Sequence, residues 1–182
     1  MGASFPQVYP RMAKYKPGKA NQKRYFAAFY LEAIENADKD ERLLNRKALL
    51  AAHRESCLFH LMGAYEALIW EVAQSYGVTF RAGMPLQQLL EVAQGDGKSI
   101  PELDRLLQLQ SLPGGWLNRM LQAWQRVQDV DPAATTVAKA PVNLNAIEVR
   151  VVAEEDDLLQ LSDWHDNLRD LIEETRQTMG EW

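Results

Sequence analysis

Four side chains able to do chemistry crowd residues 53–60, the run His-Arg-Glu-Ser-Cys-Leu-Phe-His. His53, Cys57 and His60 are spaced four and three residues apart, so an α-helix would carry them on one side. Imidazole and thiolate suit zinc and other transition metals. The geometry opposes a shared ion. Three such ligands on one rigid helix span about two turns, roughly 10 Å, whereas zinc–ligand bonds are about 2.0–2.3 Å. A further ligand would have to come from elsewhere, and His165 is the only other histidine. The sequence therefore predicts no metal site and no cofactor, with His53 and His60 flanking a packed stripe.

A second chemistry uses the arginine. Arg54 could hold a phosphate while His60, six residues further on, transfers a proton as general acid or base. An arginine followed at this short interval by a histidine resembles the motif of HEPN domains, small all-helical proteins of which many are RNases or toxins that act without metal. Arg54 and His60 are the catalytic pair that this resemblance implies. Two features depart from the pattern. Glu55, directly after the arginine, would compete for the phosphate, where HEPN motifs commonly have a small polar residue. Arg46 and His53 form a second pair of similar spacing.

Other catalytic signatures are missing from the sequence. It has no HExxH, no Glu-x-x-His and no GxSxG turn, and Gly114-Gly115 lacks the Lys-Ser/Thr of a P-loop. Cys57 falls on an apolar stripe and reads as a small buried hydrophobe rather than a nucleophile. Glu32, Glu35, Glu66 and Glu71 could cluster between helices, but solvated faces or ion pairs with Arg46 and Arg54 are the better expectation, since unpaired acids are seldom buried.

These side chains must be positioned by helices. A first helix should begin near Ala20, with Tyr25, Phe26, Phe29, Tyr30 and Ala33 on one aromatic face. Asp38 with Glu41 could cap a second, long helix running from about Asp40 to Tyr76 and stopped by Gly77. A short helix should follow Pro85 and end at Gly95-Asp96-Gly97. Ser99 and Glu102 have the spacing of a capping box for a fourth helix over Leu103–Leu109. A fifth carries Trp116, Met120, Trp124 and Val127 as a packed seam. Residues 131–146 read as a linker. At 147–152 the apolar residues alternate, suggesting an extended, strand-like strap. Glu154–Asp157 then open a last helix, whose apolar face runs through Leu161, Trp164, His165, Leu168 and Ile172.

The expected fold is all-α, a bundle with two or three long antiparallel helices as a spine, short helices crossing it and the strap laid over it. Residues 1–18, broken by Pro6, Pro10 and Pro17, read as a flexible basic arm, and 19–182 as a single helical domain.

Charge is uneven. The net charge is −5, but residues 1–31 hold six basic side chains and no acid, while residues 148–182 hold eleven acids and three arginines. The basic arm offers a route to nucleic acid, although local pairing with the acidic tail is the simpler expectation. One cysteine excludes an intrachain disulfide and fits a reducing compartment, so a cytoplasmic location is expected. No apolar run approaches the roughly 20 residues of a membrane span.

The stretches AAHRESCLFHLMGAYEALIWEVA, PGGWLNRMLQAW and LLQLSDWHDNLRDLIEETR resemble a family of uncharacterised bacterial proteins of similar length, found in pseudomonads and their relatives. That resemblance covers most of residues 20–178 and implies a helical fold without implying an activity. The expectation for function is a non-enzymatic interaction protein, binding a protein partner or itself. The alternative is a HEPN-like, metal-independent ribonuclease.

Overall fold

The structure, a computed structural model, describes residues 18–39, 45–129 and 156–180. Among them are six α-helices and no strand, so the chain is all-α: α1 (Lys19–Lys39), α2 (Arg46–Ser75), α3 (Leu86–Gly95), α4 (Pro101–Ser111), α5 (Trp116–Gln128) and α6 (Asp156–Gly180).

The long helices α1, α2 and α6 pack against one another, and the short helices form a second tier in which α5 returns to touch α2 and α6. Partners along α1 and α2 run in opposite order: Tyr30 meets His53, Ala27 meets Cys57, Phe26 meets His60, and Ala20 meets Glu71. The two helices are therefore antiparallel.

Periodicity explains the core. On α1, Ala20, Ala27 and Ile34 recur every seven residues and are buried. On α2, Cys57, Leu61, Ala64, Leu68 and Val72 follow the predicted stripe and are fully buried. On α6, Leu161, Trp164, Leu168, Leu171, Ile172 and Thr175 do the same. Leu89, Leu103, Leu106, Leu117 and Met120 of the short helices join this one cluster. Each such leucine withdrawn from water contributes about 1.5–3 kcal/mol before entropy is counted.

Two glycines terminate helices as their positions predict. Gly77 (φ 63°) follows α2, its N–H reaching the Gln74 carbonyl at 3.0 Å while the Val78 N–H reaches Ala73 at 2.8 Å. Gly97 (φ 69°) closes α3 in the same way, on Gln94 and Ala93. This pair of bonds is the Schellman closure, which needs a left-handed residue that glycine adopts without a steric penalty.

Three local expectations are corrected. Asp38 does not cap the second helix: it lies inside α1, and both its carboxylate and its carbonyl accept from the Arg46 guanidinium. This contact bridges the connection between α1 and α2, and α2 begins after Asn45 rather than near Asp40. Ser99 does not cap α4 either. Buried Ile100 takes the N-cap position without a side-chain cap bond, and Pro101 follows inside the first turn, where it has no amide to satisfy. Glu102 instead accepts a hydrogen bond from the Tyr76 hydroxyl at 2.9 Å. Last, Glu71 is neither solvated nor paired with Arg46, which meets Asp38; it is held by Arg176, while Glu35 stays exposed beside Lys39 as a solvated face should.

The strap at 147–152, the linker at 131–146 and residues 1–17 of the basic arm lie outside the described residues.

Candidate protein-docking site

The run at 53–60 lies in α2 and faces two ways. Cys57 points into the core, its thiol 3.6 Å from the Ala27 carbonyl of α1. Burial pushes that thiol up to about 12, so it carries no thiolate at neutral pH and is neither nucleophile nor metal ligand there. His53 and His60, seven residues apart, share the side of α2 that meets α1.

His60 is the hub of an aromatic network. Tyr30 stacks on it with ring centres 5.4 Å apart and planes 24° from parallel. Phe26 and Phe59 meet it edge-on at 5.5 and 5.3 Å. Tyr30 also reaches His53 at 6.0 Å. Burial, and secondarily the charge of Lys23, lowers the His60 pKa, which keeps the imidazole neutral among these rings. Its Nδ1 is buried without a hydrogen-bond partner in the structure.

Arg54 does not share that side. Six residues on a helix amount to roughly 600° of rotation, leaving Arg54 and His60 about 120° apart and about 9 Å apart along the axis. Arg54 lies in line with fully buried Leu61, seven residues on, whereas His60 faces α1. Both side chains are half-buried on α2, with Nε of Arg54 and Nδ1 of His60 withdrawn from water.

His165 does not join the other histidines. Its Nε2 accepts from Arg24 of α1 at 3.1 Å, and its Nδ1 lies 3.3 Å from the Asp166 carboxylate. An arginine can only donate, so the ring proton sits on Nδ1. Among the described residues no three His, Cys, Asp or Glu side chains are placed to hold a metal ion.

The feature the sequence reading did not single out lies on the opposite side of α2. Phe59, Gly63, Glu66 and Trp70 recur at intervals of four, three and four, a continuous helical stripe, and it faces outward. Phe59 is 52% exposed and Trp70 47%. They line an open groove of about 290 Å³, whose other aromatic walls are Phe80, from the loop after α2, and Trp124 of α5. Phe59 joins the groove to the His60 network, since it also touches Trp124 at 6.1 Å. Met62, Ala67 and Ala82 complete the apolar lining.

Gly63 keeps the floor low. A Cβ there would lie 3.3 Å from the Lys23 side chain. Lys19 and Lys23 of α1 form one lip, with the Lys23 ammonium 5.2 Å above the Phe59 ring. Such a contact is worth about 0.5–1 kcal/mol at an exposed site. A larger cavity, about 540 Å³, lies where α2, α4 and α6 meet, but its described lining of Ser75, Tyr76, Ser99, Pro101 and Met179 presents no charge.

The signal for the groove was present in the sequence. Phe59 and Trp70 lie on the face of α2 that periodicity assigns to water, where large aromatic side chains need a reason.

Fold and groove together define an all-α bundle with an aromatic, lysine-edged groove along its central helix. The chain belongs to the family of unknown function DUF6586, whose model matches residues 12–182. No curated protein and no solved structure matched the chain. No helix among the described residues is long and apolar enough to cross a membrane.

Proposed function

We propose that this protein acts as an interaction module and that the groove on α2 is where another protein docks. The carrying observation is the half-exposed pair Phe59 and Trp70 on a rigid 30-residue helix, converging with Phe80 and Trp124 on one cleft. Aromatic side chains in water-accessible clefts are the usual anchors of protein interfaces, because they supply large contact area with few rotors to freeze. Monomeric proteins rarely leave such rings together without use. The ribonuclease alternative would use Arg54 and His60 together, and His60 is instead enclosed by Phe26, Tyr30 and Phe59, which favours docking.

A photo-crosslinking residue placed singly at Phe59, Trp70, Val92 or Leu112 tests the reading in the cells that make the protein. All four are exposed apolar positions, but Val92 and Leu112 lie outside the groove. Crosslinked species shared by positions 59 and 70 and absent at 92 and 112 are expected. The same pattern at all four positions, or none at 59 and 70, refutes the groove as the docking site.

A further inference from the structure

We infer that the occupant of the groove is an acidic amphipathic helix of a partner protein. This rests on the docking reading above and adds the chemistry of the partner.

Length comes first. The stripe from Phe59 to Trp70 covers eleven steps of a helix, about 16 Å or three turns. An extended segment of that length would leave its backbone N–H and C=O groups without partners over an apolar floor, because the groove walls are helices and offer no strand edge to pair with. A helix satisfies its own backbone. It presents apolar side chains at the same four-three-four rhythm as the floor, and the Lys23 stem lying on Gly63 keeps that floor low near the middle.

Charge decides the rest. Lys19 and Lys23 stand one turn apart along the same lip. Among the described residues, no carboxylate forms an ion pair with either. Lys19 donates an exposed, local bond to the Gln22 side-chain oxygen at 3.1 Å. Two lysines one helical turn apart match two carboxylates spaced three or four residues apart on a facing helix. Phe59 does not compete for this partner. A carboxylate can meet Lys23 from the solvent side while the ammonium keeps its place over the ring. Glu66 contributes one negative charge at the floor, so the occupant should also carry a single basic or amide side chain among its apolar residues. A basic helix would meet the lysines head-on.

The test uses the whole protein and three synthetic peptide helices. All carry leucines at four-three-four spacing and a fluorophore. They differ at two flanking positions four apart, occupied by Glu, Gln or Lys. Fluorescence anisotropy gives the affinity, and emission from Trp70 and Trp124 reports groove occupancy. The Glu peptide should bind at least about tenfold more tightly than the Lys peptide, because two charge pairs are each replaced by a repulsion. The order should reverse in a Lys19→Glu/Lys23→Glu variant. Trp70→Ala should weaken all three peptides and leave their order unchanged.

Equal affinities for the three peptides, or an order that survives the charge reversal, overturns the acidic-partner inference. So does the absence of binding by every peptide. Neither result touches the docking reading, which stands or falls on the crosslinking pattern at Phe59 and Trp70.

Discussion

Arg176 of α6 holds the Glu71 carboxylate of α2 through two hydrogen bonds, from Nε at 3.1 Å and from Nη2 at 2.6 Å, both to Oε2. The other oxygen, Oε1, accepts the Ala20 amide at 3.3 Å, one of the donors at the start of α1 that no helical carbonyl can reach. One carboxylate therefore ties three helices together, and both charged side chains are largely buried. Arg176→Ala and Glu71→Ala should each cost about 2–3 kcal/mol, since each strands a mostly buried charge or amide. Urea denaturation of the single variants and the double variant checks this. The double variant should lose clearly less than the sum of the two.

Gly18 sits beside this clamp at φ 133°, where a Cβ would strike the Arg176 guanidinium. Gly18→Ala should destabilise by about 1–3 kcal/mol. Part of that loss should vanish in an Arg176→Ala background, where the clash with the guanidinium is gone but the backbone strain at φ 133° remains.

Acid should loosen the bundle at two histidines. His165 is lowered by burial and then by Arg24, with the Asp166 hydrogen bond opposing and Arg169 adding to the shift. His60 is lowered by burial and then by Lys23. A folded-state pKa below the unfolded value of about 6.5 means that the native state disfavours the proton. Stability from these residues is complete above about pH 6.5 and is lost as the pH falls from there through the folded values. For His165 the loss has a structural form. A proton on Nε2 removes the acceptor of the Arg24 bond and sets two cations 3.1 Å apart at the α1–α6 contact. Chemical denaturation between about pH 7 and 5 should show falling stability, with a shallower fall in His165→Gln, whose amide oxygen still accepts from Arg24.

Cys57 should be silent toward alkylating reagents. With no exposed surface and a thiol pushed up to about 12, it should not react with iodoacetamide in the native protein at about pH 8, and should label fully in denaturant. Mass spectrometry across a urea series would report this. Native-state labelling at the unfolded rate would contradict the packing described for α2.

Gly63 sets stability against docking. An alanine there is the better helix former by about 1 kcal/mol, and its Cβ meets only the flexible Lys23 chain, which can yield. Gly63→Ala should raise the melting temperature and weaken helix binding in the groove. Gly63→Leu should abolish that binding. A stabilised Gly63→Ala with unchanged affinity would show that the floor of the groove is not in contact with the partner.

The architecture was readable because long helices declare themselves. The stripe through Cys57 and Leu68 on α2 and the stop signals at Gly77 and Gly97 depend on neighbours in sequence, whereas on α1 the aromatic face drew the eye and the buried one is Ala20, Ala27 and Ile34. What could not be read depends on distant partners. Glu71 and Arg176 are 105 residues apart, and only the folded arrangement of α1, α2 and α6 pairs them. Ser99 and Glu102 have the spacing of a cap, yet burial of Ile100 and the pull of Tyr76 on Glu102 outweigh it. The run at 53–60 drew attention by concentrating rare side chains. The groove draws its character from Phe59 within that run and from rings contributed by three other parts of the chain.

Ala20, whose amide Glu71 holds, directly follows Lys19 of the groove lip. The lip and the seating of α6 thus share a single carboxylate. Loosening the Glu71–Arg176 pair should therefore be felt at the lip, as a weaker hold on the first turn of α1.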